Sequence, residues 1–258
     1  MQSPSIAIES PVLQTAILRS YVYAFLCRAL AYPSPEHRSA LGEEILPAMS
    51  GFELDDEVVA AVRQSRAFIE APLDVSRAVH TSVFTLTVSA DCPDYETAYD
   101  SHDIFQQTQT MADVGGFYRA HGLEVGGIEQ ERPDHIATEL EFMSFLASKE
   151  AHAIENFSDA EVDVTRESQA LFLRDHLGCW GPEFGRRVEA RAGLEAPFYA
   201  AAGRALSSWL EDECEFFDIA PTSKLLASPL QWPEPDDGVC GSAGECPLIG
   251  LEQIQVER

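Results

Sequence analysis

The chain has 258 residues, 45% of them hydrophobic and 23% charged. That is enough to bury a core, and the balance excludes wholesale disorder. Its 43 acidic residues far outnumber 17 basic ones, for a formal net charge of −26; such a surface repels phosphate backbones and anionic lipid, which excludes nucleic acid and membrane surfaces and favours cationic partners.

Six cysteines without a CxxC spacing are too few for a disulfide scaffold. The first residues lack a basic region followed by an apolar one, and no apolar run approaches a membrane span. The expectation is a soluble cytoplasmic protein.

The apolar spacing predicts helices throughout. Leu13, Ile17, Tyr21, Phe25 and Ala29 define a first helix over Val12–Ala31, ended by Pro33 and Pro35. A second covers Glu36–Met49. Asp55 caps a third, stopped by Pro72. Asp74–Ser89 holds enough β-branched residues to suggest a strand, but nothing convincing would pair with it, so it is assigned to helix. After a polar connection, helix resumes over Asp103–Ala120, with an expected interruption at Gly115-Gly116. A loop over Gly122–Pro133 contains Gly126-Gly127 and leads into the strongest helix, Asp134–Ala153. There Pro133 fits the entry and Asp134 is the natural cap. Ile136, Leu140, Met143, Leu146 and Ala147 mark its buried side, flanked by Phe142 and Phe145. Further helices cover Ser158–Leu177, ended by Gly178, then Trp180–Arg191 and Ala196–Phe217. The sum is all-α: a single helical-bundle domain of about eight or nine helices over residues 1–220. A Pro/Gly/acid-rich irregular tail follows over residues 221–258, with Trp232, Cys240 and Cys246 in it.

Little of this spells catalysis. Glu131, His135 and Glu139 recur at i, i+4 and i+8, which on one helix face would make half a metal site. Pro133 interrupts that face, and no second Glu-x-x-His pattern completes it. No nucleophile elbow, phosphate loop or dinucleotide fingerprint is present. The residues therefore predict no catalytic group, no cofactor and no metal, and describe an acidic helical binding protein.

The run Glu131-Arg132-Pro133-Asp134-His135-Ile136-Ala137-Thr138-Glu139-Leu140-Glu141-Phe142-Met143 resembles the signature of the TorD/DmsD/NarJ family, cytoplasmic chaperones of dimethyl sulfoxide reductase-superfamily molybdoenzymes. Pro93-Asp94-Tyr95-Glu96, the run Ala112 to Arg119, and Asp175-His176-Leu177-Gly178 with Trp180, Pro182 and Phe184 fit the same pattern. In look it is nearest the branch serving dimethyl sulfide, selenate, chlorate and ethylbenzene oxidoreductases. An aromatic-x-x-Leu-Phe motif of that family aligns with His80 to Phe84, where His80 replaces the aromatic and Val83 the leucine.

The resemblance implies a binding function and no enzyme activity. The partner would be a molybdoenzyme catalytic-subunit precursor with its twin-arginine leader, held from export until its cofactor is inserted. Carboxylates pair with guanidinium bidentately, so Glu131, Asp134 and Glu139 are expected to meet the arginines. Val83 and Phe84 are expected to line the apolar part, with Pro133 and His135 shaping the turn. The chaperone would act as a monomer or a dimer. Two alternatives stay open: a metal-dependent helical-bundle enzyme using His135 with Glu131 or Glu139, and an assembly factor that binds the enzyme body without a leader.

Overall fold

The computed structural model describes residues 10–84, 91–100, 104–125 and 131–224. Among them nine α-helices form, with a short 3-10 turn over Glu96–Ala98 and no strand; one isolated antiparallel bridge joins Tyr95 and His135. The end of the fourth predicted helix (85–89), Gly126-Gly127, Trp232, Cys240 and Cys246 lie outside the described residues.

Helix α1 spans Pro11–Leu30, with proline in its first turn. Val22, Tyr23, Phe25, Leu26, Ala29 and Leu30 are all buried, as for a helix packed on most sides. The chain turns extended at Ala31, before Pro33. Helix α2 runs as Pro35–Ser39, a π-helical stretch Ala40–Ile45 and Leu46–Met49. Helix α3 (Asp56–Glu70) buries Val58, Ala61, Ser65 and Phe68 along one stripe. Helix α4 spans Leu73–Phe84, α5 Ile104–Ala120 and α6 Ile136–Asn156. Helix α7 (Asp159–Phe172) passes through a π-helical turn, Leu173–Leu177, into α8 (Gly178–Ala192), and α9 covers Pro197–Phe216.

Two helix pairs make the frame. Helix α1 packs along α6, and α8 packs along α9, which also rests on α3. The second pair approaches closely because it meets at glycines. A Cβ on Gly203 would stand 2.5 Å from the Gly185 carbonyl oxygen. Phe68 of α3 stacks on Phe198 of α9, with ring centroids 4.3 Å apart. Trp180 and Trp209 both belong to the core.

A charged network lies inside the bundle. Arg19 of α1 donates to both Glu213 oxygens at 2.6 Å and to Glu150 at 2.8 Å. Gln169 bridges Arg19 and Glu150, Tyr23 donates to Glu213 at 2.8 Å, and Arg166 reaches the other Glu150 oxygen. Phe216 and Phe217 each present a ring 4.7 Å from the Arg19 guanidinium carbon. Four helices, α1, α6, α7 and α9, are thereby tied at one point.

The structure corrects three boundaries. Helix α5 runs unbroken through Gly115-Gly116; each glycine costs a helix about 1 kcal/mol, which fifteen other helical residues absorb. Gly178 does not end a helix but joins the π-turn to α8, at φ −70°. It is needed for space: a Cβ there would stand 2.5 Å from the Leu173 carbonyl oxygen and 2.9 Å from Pro221. Helix α6 is capped by His135 and not by Asp134.

Candidate functional site: a groove between helices α1 and α6

The Asp134-His135 segment is held by Pro93-Asp94-Tyr95-Glu96. The Glu96 N–H donates to the Asp134 carbonyl and the Ile136 N–H to the Asp94 carbonyl, both at 2.9 Å. This short antiparallel pairing positions the start of α6. Tyr118 of α5 adds a hydrogen bond from its hydroxyl to the Pro133 carbonyl at 2.7 Å.

Each predicted site residue then has a defined place. Asp134 is fully buried. Its carboxylate accepts from the Thr97 hydroxyl at 2.8 Å and from Arg132 at 2.9 and 2.8 Å. Arg132 lies over the Tyr95 ring, its guanidinium carbon 4.5 Å from the centroid. Asp134 thus meets an arginine, but one from its own chain. His135 accepts from the Ala137 N–H through Nδ1 at 3.1 Å. That contact assigns the ring proton to Nε2, which faces Asp94 at 3.4 Å.

Glu139 is also fully buried. Trp180 donates to one of its oxygens at 3.2 Å, and the other has no partner among the described residues. Burial, and then the neighbouring charge of Glu96, hold its carboxyl well above the usual range. Glu96 itself accepts from His176 Nδ1 at 3.1 Å and from Lys224 Nζ at 2.7 Å. Lys224, in the first residues of the predicted tail, is further tied by its N–H to the Cys179 carbonyl at 2.7 Å.

Val83 and Phe84 end α4 and are buried. Phe84 meets Tyr199 at 5.3 Å, centroid to centroid, and His80 at 4.5 Å. His80 also sits edge-on to Tyr32 and Tyr199. It therefore fills an aromatic position as a neutral ring. Burial pushes it down to about 4, against the opposing effect of a hydrogen bond to the Leu30 backbone.

Glu131 and His135 open onto a groove of about 460 Å³. The groove runs between the end of α1, the residues after α5, and the first turns of α6. Tyr118, Leu123, Val125, Phe142 and Phe145 give it an apolar wall, and Glu124, Glu131 and Glu141 place carboxylates along it. All three acids are exposed. Cys27 lies in the same wall, its thiol pushed up to about 12 by burial and so neutral. Val83, Phe84, Asp134 and Glu139 do not line it. The sequence reading did not single out Leu123, Glu124 or Val125, which fell within a stretch read as loop. Phe142 and Phe145 did carry a signal, as aromatics flanking the buried stripe of α6.

Among the described residues, no group of three or more His, Cys, Asp and Glu side chains is arranged to hold a metal ion. Glu131 precedes α6, His135 caps it and Glu139 points into the core, so the three do not form one face.

The family model for the nitrate reductase delta subunit matches residues 53–186, just over half of the chain. The chain belongs to that family. The match takes in both paired segments, Pro93 to Glu96 and Asp134-His135, with α5, α6 and α7.

Among relatives, the selenate reductase assembly chaperone protein of Thauera selenatis is 36% identical over 92 residues, covering 36% of this chain and 47% of that protein. The chlorate reductase assembly chaperone protein of Ideonella dechloratans is 33% identical over the same length and the same shares. The perchlorate reductase assembly chaperone protein of Dechloromonas aromatica (strain RCB) is 26% identical over 209 residues, 78% of this chain and 92% of that protein. The alignment thus spans about half the length of the first two relatives and nearly all of the third. All three relatives are named as assembly chaperones. No described helix of this family member is long and apolar enough to cross a membrane.

Proposed function

We propose that this protein is a cytoplasmic assembly chaperone for a molybdoenzyme catalytic subunit of the dimethyl sulfoxide reductase superfamily. It binds the precursor through its twin-arginine leader and holds it from export until the cofactor is in place. The observation that carries this reading is the α1–α6 groove, an apolar wall edged by exposed carboxylates, whose α5 and α6 side falls within the family match.

The chemistry of the two sides corresponds. A leader offers two guanidinium groups and then an apolar stretch. Glu124 and Glu131 have no ion-pair partner among the described residues, and each can take a guanidinium bidentately. Phe142, Phe145, Leu123 and Val125 suit the apolar stretch. Asp134 and Glu139 act from behind: they fix the start of α6, and with it the place of Glu131 and His135. Val83 and Phe84 support the bundle beneath. The charge of −26 steers a basic segment in from a distance, and salt weakens that steering.

The test is calorimetric titration of the full chain with a synthetic Arg-Arg leader peptide from the precursor. Tight binding that falls on Glu131→Gln and Glu124→Gln, with melting unchanged, is the expected result. Binding indifferent to both substitutions would remove the leader from this groove.

A further inference from the structure

Arg28 occupies the groove that the proposed function gives to the leader, and the present inference rests on that reading. Arg28 projects from the last turn of α1. Its Nη2 donates to Glu141 Oε1 on α6 at 2.8 Å, and its Nη1 lies 3.5 Å from Cys27 Sγ. Both Arg28 and Glu141 line the groove, and among the described residues Arg28 is the one arginine or lysine that does. The two side chains are 30% and 58% exposed, so as a tie between helices the pair contributes little. Chemically, however, it places a guanidinium on a groove carboxylate, the contact the leader's arginines would make.

We infer that Arg28 is an internal competitor for the leader's arginines and sets the selectivity of the groove. In the free protein it occupies Glu141. An arginine of the leader displaces it, because a second guanidinium can meet both Glu141 oxygens in a planar, forked contact where Arg28 makes a single bond to one of them. A lysine brings a point charge on a flexible stem, reproduces that contact poorly, and leaves Arg28 in place. The groove then offers a lysine pair only Glu124 and Glu131, beside a resident positive charge. Arg28 thereby raises the cost of entry for every cation and raises it most for lysine.

The measurement is titration of the full chain with the Arg-Arg leader peptide and its Lys-Lys counterpart, in the natural protein, Arg28→Met and Glu141→Gln. Methionine keeps an unbranched apolar stem on the helix. Arg28→Met should bind the Lys-Lys peptide roughly tenfold tighter, the worth of one charge-assisted hydrogen bond, and the Arg-Arg peptide by less, narrowing the preference. Glu141→Gln should weaken Arg-Arg binding and scarcely change Lys-Lys binding. An unchanged preference in Arg28→Met, with the natural protein still binding the leader, overturns the inference and makes the pair a structural tie. Absence of leader binding in the natural protein and in both variants would overturn the leader reading itself, and this inference with it.

Discussion

The Thr97 hydroxyl donates to Asp134 at 2.8 Å, across thirty-seven residues of chain. This bond, with the two from Arg132, gives the acid of the Asp-His signature a structural task. Asp134 locks the 93–97 segment against the start of α6. Replacing it leaves Arg132 without its carboxylate and Thr97 without its acceptor. Asp134→Ala should therefore lower stability by about 3 kcal/mol, seen as a drop in the denaturation midpoint. Leader affinity should fall as a consequence of a misplaced Glu131. A full-strength melting transition in this variant would contradict the assignment.

Glu139 predicts a pH dependence. Its carboxyl titrates well above the usual 4.5 in the folded chain because of burial and the charge of Glu96. The folded state therefore keeps a proton that the unfolded state releases above about 4.5. Its contribution to stability is complete below that pH and declines as pH rises toward the folded value. Glu139→Gln retains the hydrogen-bonding shape without an ionisable group. Unfolding curves from about pH 5 to pH 8 should be flatter for the variant, which should be at least as stable at the alkaline end.

His80 predicts the opposite slope at lower pH. Burial lowers it from 6.5 to about 4, so the unfolded chain binds a proton in that interval that the folded chain refuses. Stability is full above 6.5 and falls as pH drops toward 4. His80→Phe restores an aromatic at this position, among Tyr32, Phe84 and Tyr199, and should remove part of that acid loss. Thermal melts of the two proteins across the interval check it; parallel curves would assign the loss to other groups.

The buried network predicts a fold-specific cost. Arg19→Ala would leave Glu150 and Glu213 facing each other without their shared cation. The expected loss is about 3–5 kcal/mol, read by chemical denaturation. Arg19→Met with Glu213→Leu and Glu150→Leu should recover much of it, since apolar replacements of a buried charge network are often neutral.

What the sequence made legible was local. The first helix and α6 announced themselves through i, i+4 stripes, and Ile136, Leu140, Met143, Leu146 and Ala147 are as buried as that stripe implies, whereas the β-branched Asp74–Ser89 read as helix only for want of a strand to pair with. The cap of α6 was misread for a reason of range. Asp134 has the better capping chemistry, but Thr97 and Arg132 claim its carboxylate, leaving the adjacent His135 to take the Ala137 N–H. Gly178 was misread because a glycine that stops a helix and one that makes room for Pro221 look alike in spacing. The candidate groove divides along the same line. Glu131 and His135, which line it, stand in the motif, whereas the wall formed by Leu123, Val125 and Phe145 exists only once α1, α5 and α6 have met. The Arg19–Glu213 pair, 194 residues apart, carries no local signal at all.

The central claim is that this protein attends an immature molybdoenzyme. Affinity purification of the tagged full chain from a lysate of its native cells, with mass spectrometry of the bound proteins, tests it most directly. The account predicts a molybdoenzyme catalytic subunit with its twin-arginine leader uncleaved, lost from the complex when the leader is deleted. A preparation lacking any such subunit, from cells shown to be expressing one, would contradict it.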